Sequence, residues 1–186
     1  MLEVEVKYAG ADFAALERQL RQLGAEEAPP RTDADHYFNA PDRDFAVTDE
    51  ALRLRRIGEQ NFVTYKGPKR DALTKTRTEI EVPIAPGDAA AADFGRLLVH
   101  LGYRPVAVVR KGRRTFHLRR DGFAIEVTLD DVEGVGHFAE LEIQAPEEQL
   151  DAAREVVLRT ASELGLTAGE RRSYLELLLA ARGGKA

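Results

Sequence analysis

The sequence predicts an α+β protein in which antiparallel strands curl into a closed or nearly closed β-barrel with helices packed on the outside. Three observations carry this reading. Short runs that alternate apolar and charged residues recur along the chain. Four longer runs repeat apolar residues at helical spacing and need an apolar surface to cover, which the greasy faces of the strands supply. The opposite strand faces are almost pure Glu, Asp, Arg and Lys. Solvated strand faces are usually richer in Thr, Ser and Gln, so faces this ionic suit an interior in which opposite charges meet.

The elements follow in order. The opening MLEVEVKYAG sets Glu3, Glu5 and Lys7 on one side of a strand and Leu2, Val4, Val6 and Tyr8 on the other. Asp12 stands as N-cap to FAALERQLRQLG, a helix whose stripe is Phe13, Leu16, Leu20 and Leu23 and whose stop is Gly24. Loops at Pro29-Pro30 and Pro41-Asp42 flank the strand DHYFN. ALRLRR then presents Arg53 and Arg55 on one face, NFVTYKG presents Lys66, and TRTEIEV presents Arg77, Glu79 and Glu81, with the basic connection GPKRDAL between the last two. Asp88 opens a second helix that carries Phe94, Leu97, Leu98 and Leu101 on one side and ends at Gly102. VAVVRKGRRTFHLRR places Lys111 and Arg113 together, and Asp121-Gly122 is a two-residue hairpin turn into FAIEVTLDD, with Glu126, Thr128 and Asp130 on one face. Gly134 and Gly136 shape a turn before FAELEIQ, which carries Glu140 and Glu142. A third helix is expected over roughly 147–164, stopped near Gly165, and a fourth from about Glu170 through LELLLAAR, with Ser173 as a contact at its N-terminus and Tyr174 as a core anchor.

At 186 residues the chain is read as a single domain, 1–182, followed by a flexible tail, 183–186. It has no cysteine, which excludes disulfides, thiolate zinc sites and cysteine nucleophiles. The expected protein is soluble and cytoplasmic, because the start lacks a basic segment followed by an apolar run and no stretch is apolar enough to span a membrane. A net charge of −5 argues against a protein whose main task is to coat nucleic acid. The stretch RKGRRTFHLRR is therefore read as a strand with one inward basic face. The four histidines lack metal-ligand spacing, and no glycine-rich phosphate loop is present.

A lumen lined by unmatched charges is costly, so the ions must pair with one another or with a ligand. Lys7, Arg53, Arg55, Lys66, Arg77, Lys111 and Arg113 suit a polyanion such as a triphosphate, to which guanidinium groups offer two-pronged contacts. The acidic set repels that same polyanion. A divalent cation, Mg²⁺ or Mn²⁺, removes the contradiction by taking carboxylate oxygens and bridging to phosphate. Carboxylates two residues apart on a strand, such as Glu3 and Glu5, are about 7 Å apart at the backbone, and their side chains can lean onto one ion. Glu126 fits the facing pattern alone and is read as a salt-bridge partner.

The motif E-x-E-x-K (Glu3, Glu5, Lys7), followed by DHYFN, ALRLRR, TYKGPK, RTEIEV, VRKGRR, LDDVEGVGHFAELEI and RRSYLELL, resembles the CYTH family, also called triphosphate tunnel metalloenzymes. TYKGP and SYLELL look most like the bacterial class IV adenylyl cyclase branch. The resemblance covers nearly the whole chain. It implies an eight-stranded antiparallel tunnel holding a triphosphate (ATP, thiamine triphosphate or tripolyphosphate), with catalysis that requires Mg²⁺ or Mn²⁺. Carried over by position, Glu3, Glu5, Asp130, Glu140 and Glu142 would hold or orient metal. Lys7, Arg53, Arg55, Lys66, Lys111 and Arg113 would grip phosphate, with Glu3, Glu5, Lys7 and Lys111 closest to the chemistry. Arg77, Glu79 and Glu81 also match, with Arg77 grouped among the phosphate contacts and the two glutamates divided between metal and ion pairing. The implied reaction is cyclisation of ATP to cyclic AMP and pyrophosphate, or hydrolysis of a triphosphate to orthophosphate; a non-catalytic nucleotide or polyphosphate binder is the alternative of another class. No nucleic acid or membrane partner is expected, and a homodimer is compatible with the chain.

Overall fold

The computed structural model describes residues 2–70 and 76–183. Its strands are β1 (Leu2–Ala9), β2 (Glu26–Glu27), β3 (Arg31–Asn39), β4 (Ala51–Ile57), β5 (Gln60–Lys66), β6 (Glu79–Ile84), β7 (Arg104–Arg120), β8 (Phe123–Val132) and β9 (Gly136–Ala145). All pairings are antiparallel, in the order β1-β9-β8-β7-β3-β4-β5-β6, with two-residue β2 beside β7. The eight-stranded sheet is curled, and its two ends approach at one bridge, where the amide of Arg77 donates to the Glu3 carbonyl at 3.4 Å.

Helices are α1 (Phe13–Gln22), α2 (Phe45–Thr48), α3 (Asp88–His100), α4 (Leu150–Glu163) and α5 (Tyr174–Gly183), with a 3₁₀ turn over Glu147–Gln149 leading into α4. None is long and apolar enough to cross a membrane. α1 and α4 cover the outer face of β1, β7, β8 and β9: Leu16, Leu20, Val156 and Val157 pack on Val4, Val6, Phe116, Ile125, Val127, Leu129 and Leu141. α3 covers a second outer patch with Ala91 and Leu98 against Phe38 and Leu54. α5 packs differently. Its Tyr174, Leu177 and Leu178 meet Tyr37, Val109, Val132 and Phe138. Those four lie in register with the charged positions, so α5 seats against the lumenal side of the wall.

Local chemistry fixes most boundaries as the sequence predicts. Asp12 accepts from the Ala15 amide at 3.1 Å and caps α1. Asp121 (φ 49°) and Gly122 (φ 83°) make the left-handed pair that a tight hairpin between β7 and β8 requires. Two boundaries differ. Gly87, not Asp88, is the N-cap of α3, and the Asp88 side chain pairs instead with Arg56. α5 begins four residues after Glu170, because the Glu170 amide is held by the Lys7 carbonyl at 2.7 Å while Ser173 and Glu176 form a reciprocal capping box, Glu176 N to Ser173 Oγ at 3.1 Å and Ser173 N to Glu176 Oε2 at 2.6 Å. The pieces β2 and α2 were not expected, each being too short to show a period. Of the predicted tail, Gly183 closes α5 and residues 184–186 lie outside the described residues, as do residues 71–73 of GPKRDAL.

Phe116 is fully buried in the outer core between the sheet and its covering helices. Phe116→Ala is expected to lower unfolding stability by about 3–5 kcal/mol, read from denaturant unfolding curves.

Candidate active site

The registers bring the predicted residues to one surface. Lys7 faces Glu140, and Glu5 faces Glu142, which in turn faces Glu126. Arg113 faces Asp130, Lys66 faces Glu79, and Thr64 faces Glu81. All of these but Asp130 line a cavity of about 570 Å³ in the hollow of the curled sheet. Glu3, Glu5, Lys7, Arg53, Arg55, Lys66, Arg77, Lys111 and Arg113 are all buried and all border it, while Asp130, with no exposed surface, lies behind the lining.

Two carboxylates within the wall organise the cations. Asp35 on β3 accepts from Arg55 Nε at 2.7 Å, Arg55 Nη2 at 2.9 Å and Arg53 Nη1 at 3.2 Å. Burial opposes its ionisation, yet the two guanidinium groups hold its carboxyl well below the usual carboxylate range. Asp130 on β8 accepts from Arg113 Nε at 2.7 Å and from the Tyr174 hydroxyl at 2.9 Å, with Lys111 Nζ at 3.4 Å. It too is depressed, against its burial, by Lys111 and Arg113. Arg113 Nη2 reaches on to Glu140 Oε2 at 2.9 Å. Burial, with the Arg113 charge beside it, brings the Lys111 ammonium down to about 8. Asp33, fully buried beside Asp35, accepts from Arg31 Nε at 3.0 Å, and its second oxygen has no hydrogen-bond partner.

The other side of the lumen is acidic. Both Glu3 oxygens lie 3.0 Å from Lys66 Nζ, which also contacts Glu79 at 2.6 Å. Burial raises the Glu3 carboxyl well above its ordinary value despite Lys66, and hydrogen bonding to Glu79 and the charges of Glu142 and Glu5 push the same way. Glu142 is raised to about 7 by burial and by Glu5, against the opposing charge of Lys66. Glu79 falls to about 2: burial resists, but the hydrogen bond from Glu3 and the Lys66 and Arg53 charges prevail. Glu81 accepts from Thr64 Oγ1 at 2.9 Å, and Arg77 has a buried Nε without a partner.

Burial raises the Glu3 and Glu142 carboxyls first, and the closeness of Glu5 to both adds to it. Carboxyl oxygens gathered in this way are hard donors that suit Mg²⁺ or Mn²⁺ in type. Among the described residues no three acidic or imidazole side chains converge to hold an ion as they stand, with Glu3 turned onto Lys66. Glu3, Glu5 and Glu142 belong to this acidic side together with Glu79. Asp130 and Glu140 do not share that arrangement, since Arg113 engages both. Glu126 lies 4.0 Å from His117 Nδ1.

Three contributors escape a reading of the sequence alone. Asp33 and Asp35 lie on the lumenal parity of β3, two residues apart, a signal that the alternation of D-A-D-H-Y does carry. Tyr174 does act as a core anchor in the apolar cluster of α5, and in addition donates to Asp130.

The whole-chain pattern agrees with known proteins. The CYTH domain family matches residues 1–174, and the chain belongs to that family. "Putative adenylate cyclase MJ0240" of Methanocaldococcus jannaschii is 39% identical over 180 residues, covering 95% of this chain and 98% of that one. "Adenylate cyclase CyaB" of Aeromonas hydrophila is 34% identical over 182 residues, covering 94% and 87% respectively. Among solved structures, the PH1819 protein of Pyrococcus horikoshii OT3 superposes with a TM-score of 0.84 at 38% identity, covering 96% of this chain and 98% of that one. Members of the family are generally divalent-metal-dependent enzymes acting on triphosphates.

Between pH about 4.5 and 7 the folded chain keeps a proton on Glu142 that the unfolded chain has released. This contribution to stability is present below the unfolded value and lost as pH rises through the folded one. In EDTA, the thermal midpoint of the wild type should therefore fall more steeply over this window than that of Glu142→Gln, read from melts at stepped pH.

Proposed function

We propose that this chain is a divalent-metal-dependent enzyme of the class IV adenylyl cyclase type, converting ATP to cyclic AMP and pyrophosphate inside the barrel. The observation that carries the proposal is the division of one lumen into a side lined by arginine and lysine, backed by Asp35 and Asp130, and a side on which Glu3, Glu5, Glu79 and Glu142 gather. The likeness to a protein named as an adenylate cyclase supports the choice of reaction.

Arg53, Arg55, Arg113 and Lys111 grip the triphosphate oxygens, with Lys7, Lys66 and Arg77 contributing from neighbouring strands. Their charges are pre-aimed by the wall carboxylates, so they offset negative charge that develops on departing pyrophosphate without reorganising. Glu3, Glu5 and Glu142, with Glu79 beside them, would hold the metal; Asp130 and Glu140 orient the cations that face it, and Glu81 keeps to Thr64. A bound Mg²⁺ or Mn²⁺ supplies polarisation of a phosphoryl oxygen and a lowered pKa for the attacking hydroxyl. In the reaction the 3′-oxygen forms a bond to the α-phosphorus, the bond from that phosphorus to the β-phosphate bridging oxygen breaks, and the hydroxyl proton is released.

Incubation with ATP, thiamine triphosphate or tripolyphosphate, each with Mg²⁺ or Mn²⁺, and mass analysis of products tests the reading. Cyclic AMP with pyrophosphate is the expected result. Orthophosphate would replace the cyclase by a triphosphatase using the same lining, and binding without product would leave a nucleotide-binding module. Glu3→Gln combined with Glu5→Gln should keep the fold, checked by circular dichroism, and lower turnover by at least about 100-fold. Undiminished turnover would remove the metal role from this pair.

A further inference from the structure

We infer that Tyr174 is a positioning residue that sets the two lumenal lysines Lys7 and Lys111 for the phosphate chain, an inference that rests on the triphosphate reading above. Its ring lies 4.1 Å from Lys7 Nζ and 5.1 Å from Lys111 Nζ, measured to the centroid, so one aromatic ring serves two ammonium groups from different strands. Its hydroxyl donates at 2.9 Å to Asp130 Oδ2, the oxygen that lies 3.4 Å from Lys111. The ring is itself fixed. Phe138 meets it edge-on at 5.1 Å, Leu177 and Leu178 pack in the same cluster, and the Ser173–Glu176 capping box pins the helix turn on which it sits.

The arrangement solves a problem of like charges. Lys7 and Lys111 are 2% and 3% exposed, so neither ammonium can turn to bulk water. Lys7 has Glu140 at 4.0 Å, and Lys111 shares Asp130 with Arg113. A tyrosine face attracts cations through its quadrupole but adds no net negative charge to repel a triphosphate. It restrains both lysines while leaving their charge available to the ligand, which a further carboxylate at this position would cancel.

The test compares tripolyphosphate binding in EDTA by isothermal calorimetry for the wild type, Tyr174→Phe, Tyr174→Leu and Leu178→Ala, each first checked for folding by circular dichroism and melting. Leu178 shares the apolar cluster of Tyr174 and serves as the packing control. Tyr174→Leu should weaken binding by about tenfold or more, and Tyr174→Phe, which keeps the ring, should recover most of the loss. Leu178→Ala should lower the melting temperature and leave the dissociation constant within about threefold of wild type. If Tyr174→Leu binds as the wild type does, or Leu178→Ala weakens binding as much, the positioning role is overturned while the triphosphate reading stands. Failure of the wild type itself to bind tripolyphosphate, in EDTA and with Mg²⁺ alike, would overturn both.

Discussion

The structure depends on the pairing of buried charge inside a curled sheet. Asp35 and Asp130, with 1% and no exposed surface, stand behind the arginines and lysines they hold. Removing one partner from such a set leaves an ion stranded away from water, which typically costs several kcal/mol, so the cations are held in place by the requirement that none lose its counter-charge. The same requirement limits how the sheet can curl. A slip of one residue in the register of β7 would send Lys111 and Arg113 into the apolar layer under α1 and α4, and bring Phe116 into the lumen.

The outer layer exists to make that interior affordable. Apolar burial by α1 and α4 over β1, β7, β8 and β9 holds the wall in its curve, and α3 does so over the β3–β5 side. α5 has a different task. By placing aromatic and leucine side chains against Tyr37, Val109 and Phe138, it shields the lumenal cations at that end from water and so strengthens every electrostatic contact nearby.

Much of this was legible from strand parity. Glu3, Glu5 and Lys7 share a face because β1 is extended, and the same logic carries Arg53, Arg55, Lys66, Glu79, Lys111, Arg113, Glu140 and Glu142 to one side. What parity does not reveal is who partners whom. Asp130 alternates correctly with Glu126 and Thr128, but only the folded arrangement shows that Arg113, Lys111 and Tyr174 converge on it from two other elements. Asp33 and Asp35 share the lumenal parity with Tyr37, a spacing the sequence does carry, but nothing in it tells that Asp35 gathers Arg53 and Arg55. Tyr174 looks like one more apolar position of a helix, and its hydroxyl finds a partner 44 residues away in the chain, a separation no local pattern records.

The seam between the sheet's two ends has a mechanical consequence. Most neighbouring strands in the wall are laced by ladders of six or more residue pairs, whereas among the described residues β1 meets the segment before β6 at a single isolated bridge, Glu3 with Arg77, with a long 3.4 Å bond. The wall is thus stiff around most of its circumference and compliant along one line, like a split cuff. Along that line the buried pair of Lys66 with Glu3 takes over from the missing backbone ladder, so the closure of the bore rests on side-chain charge.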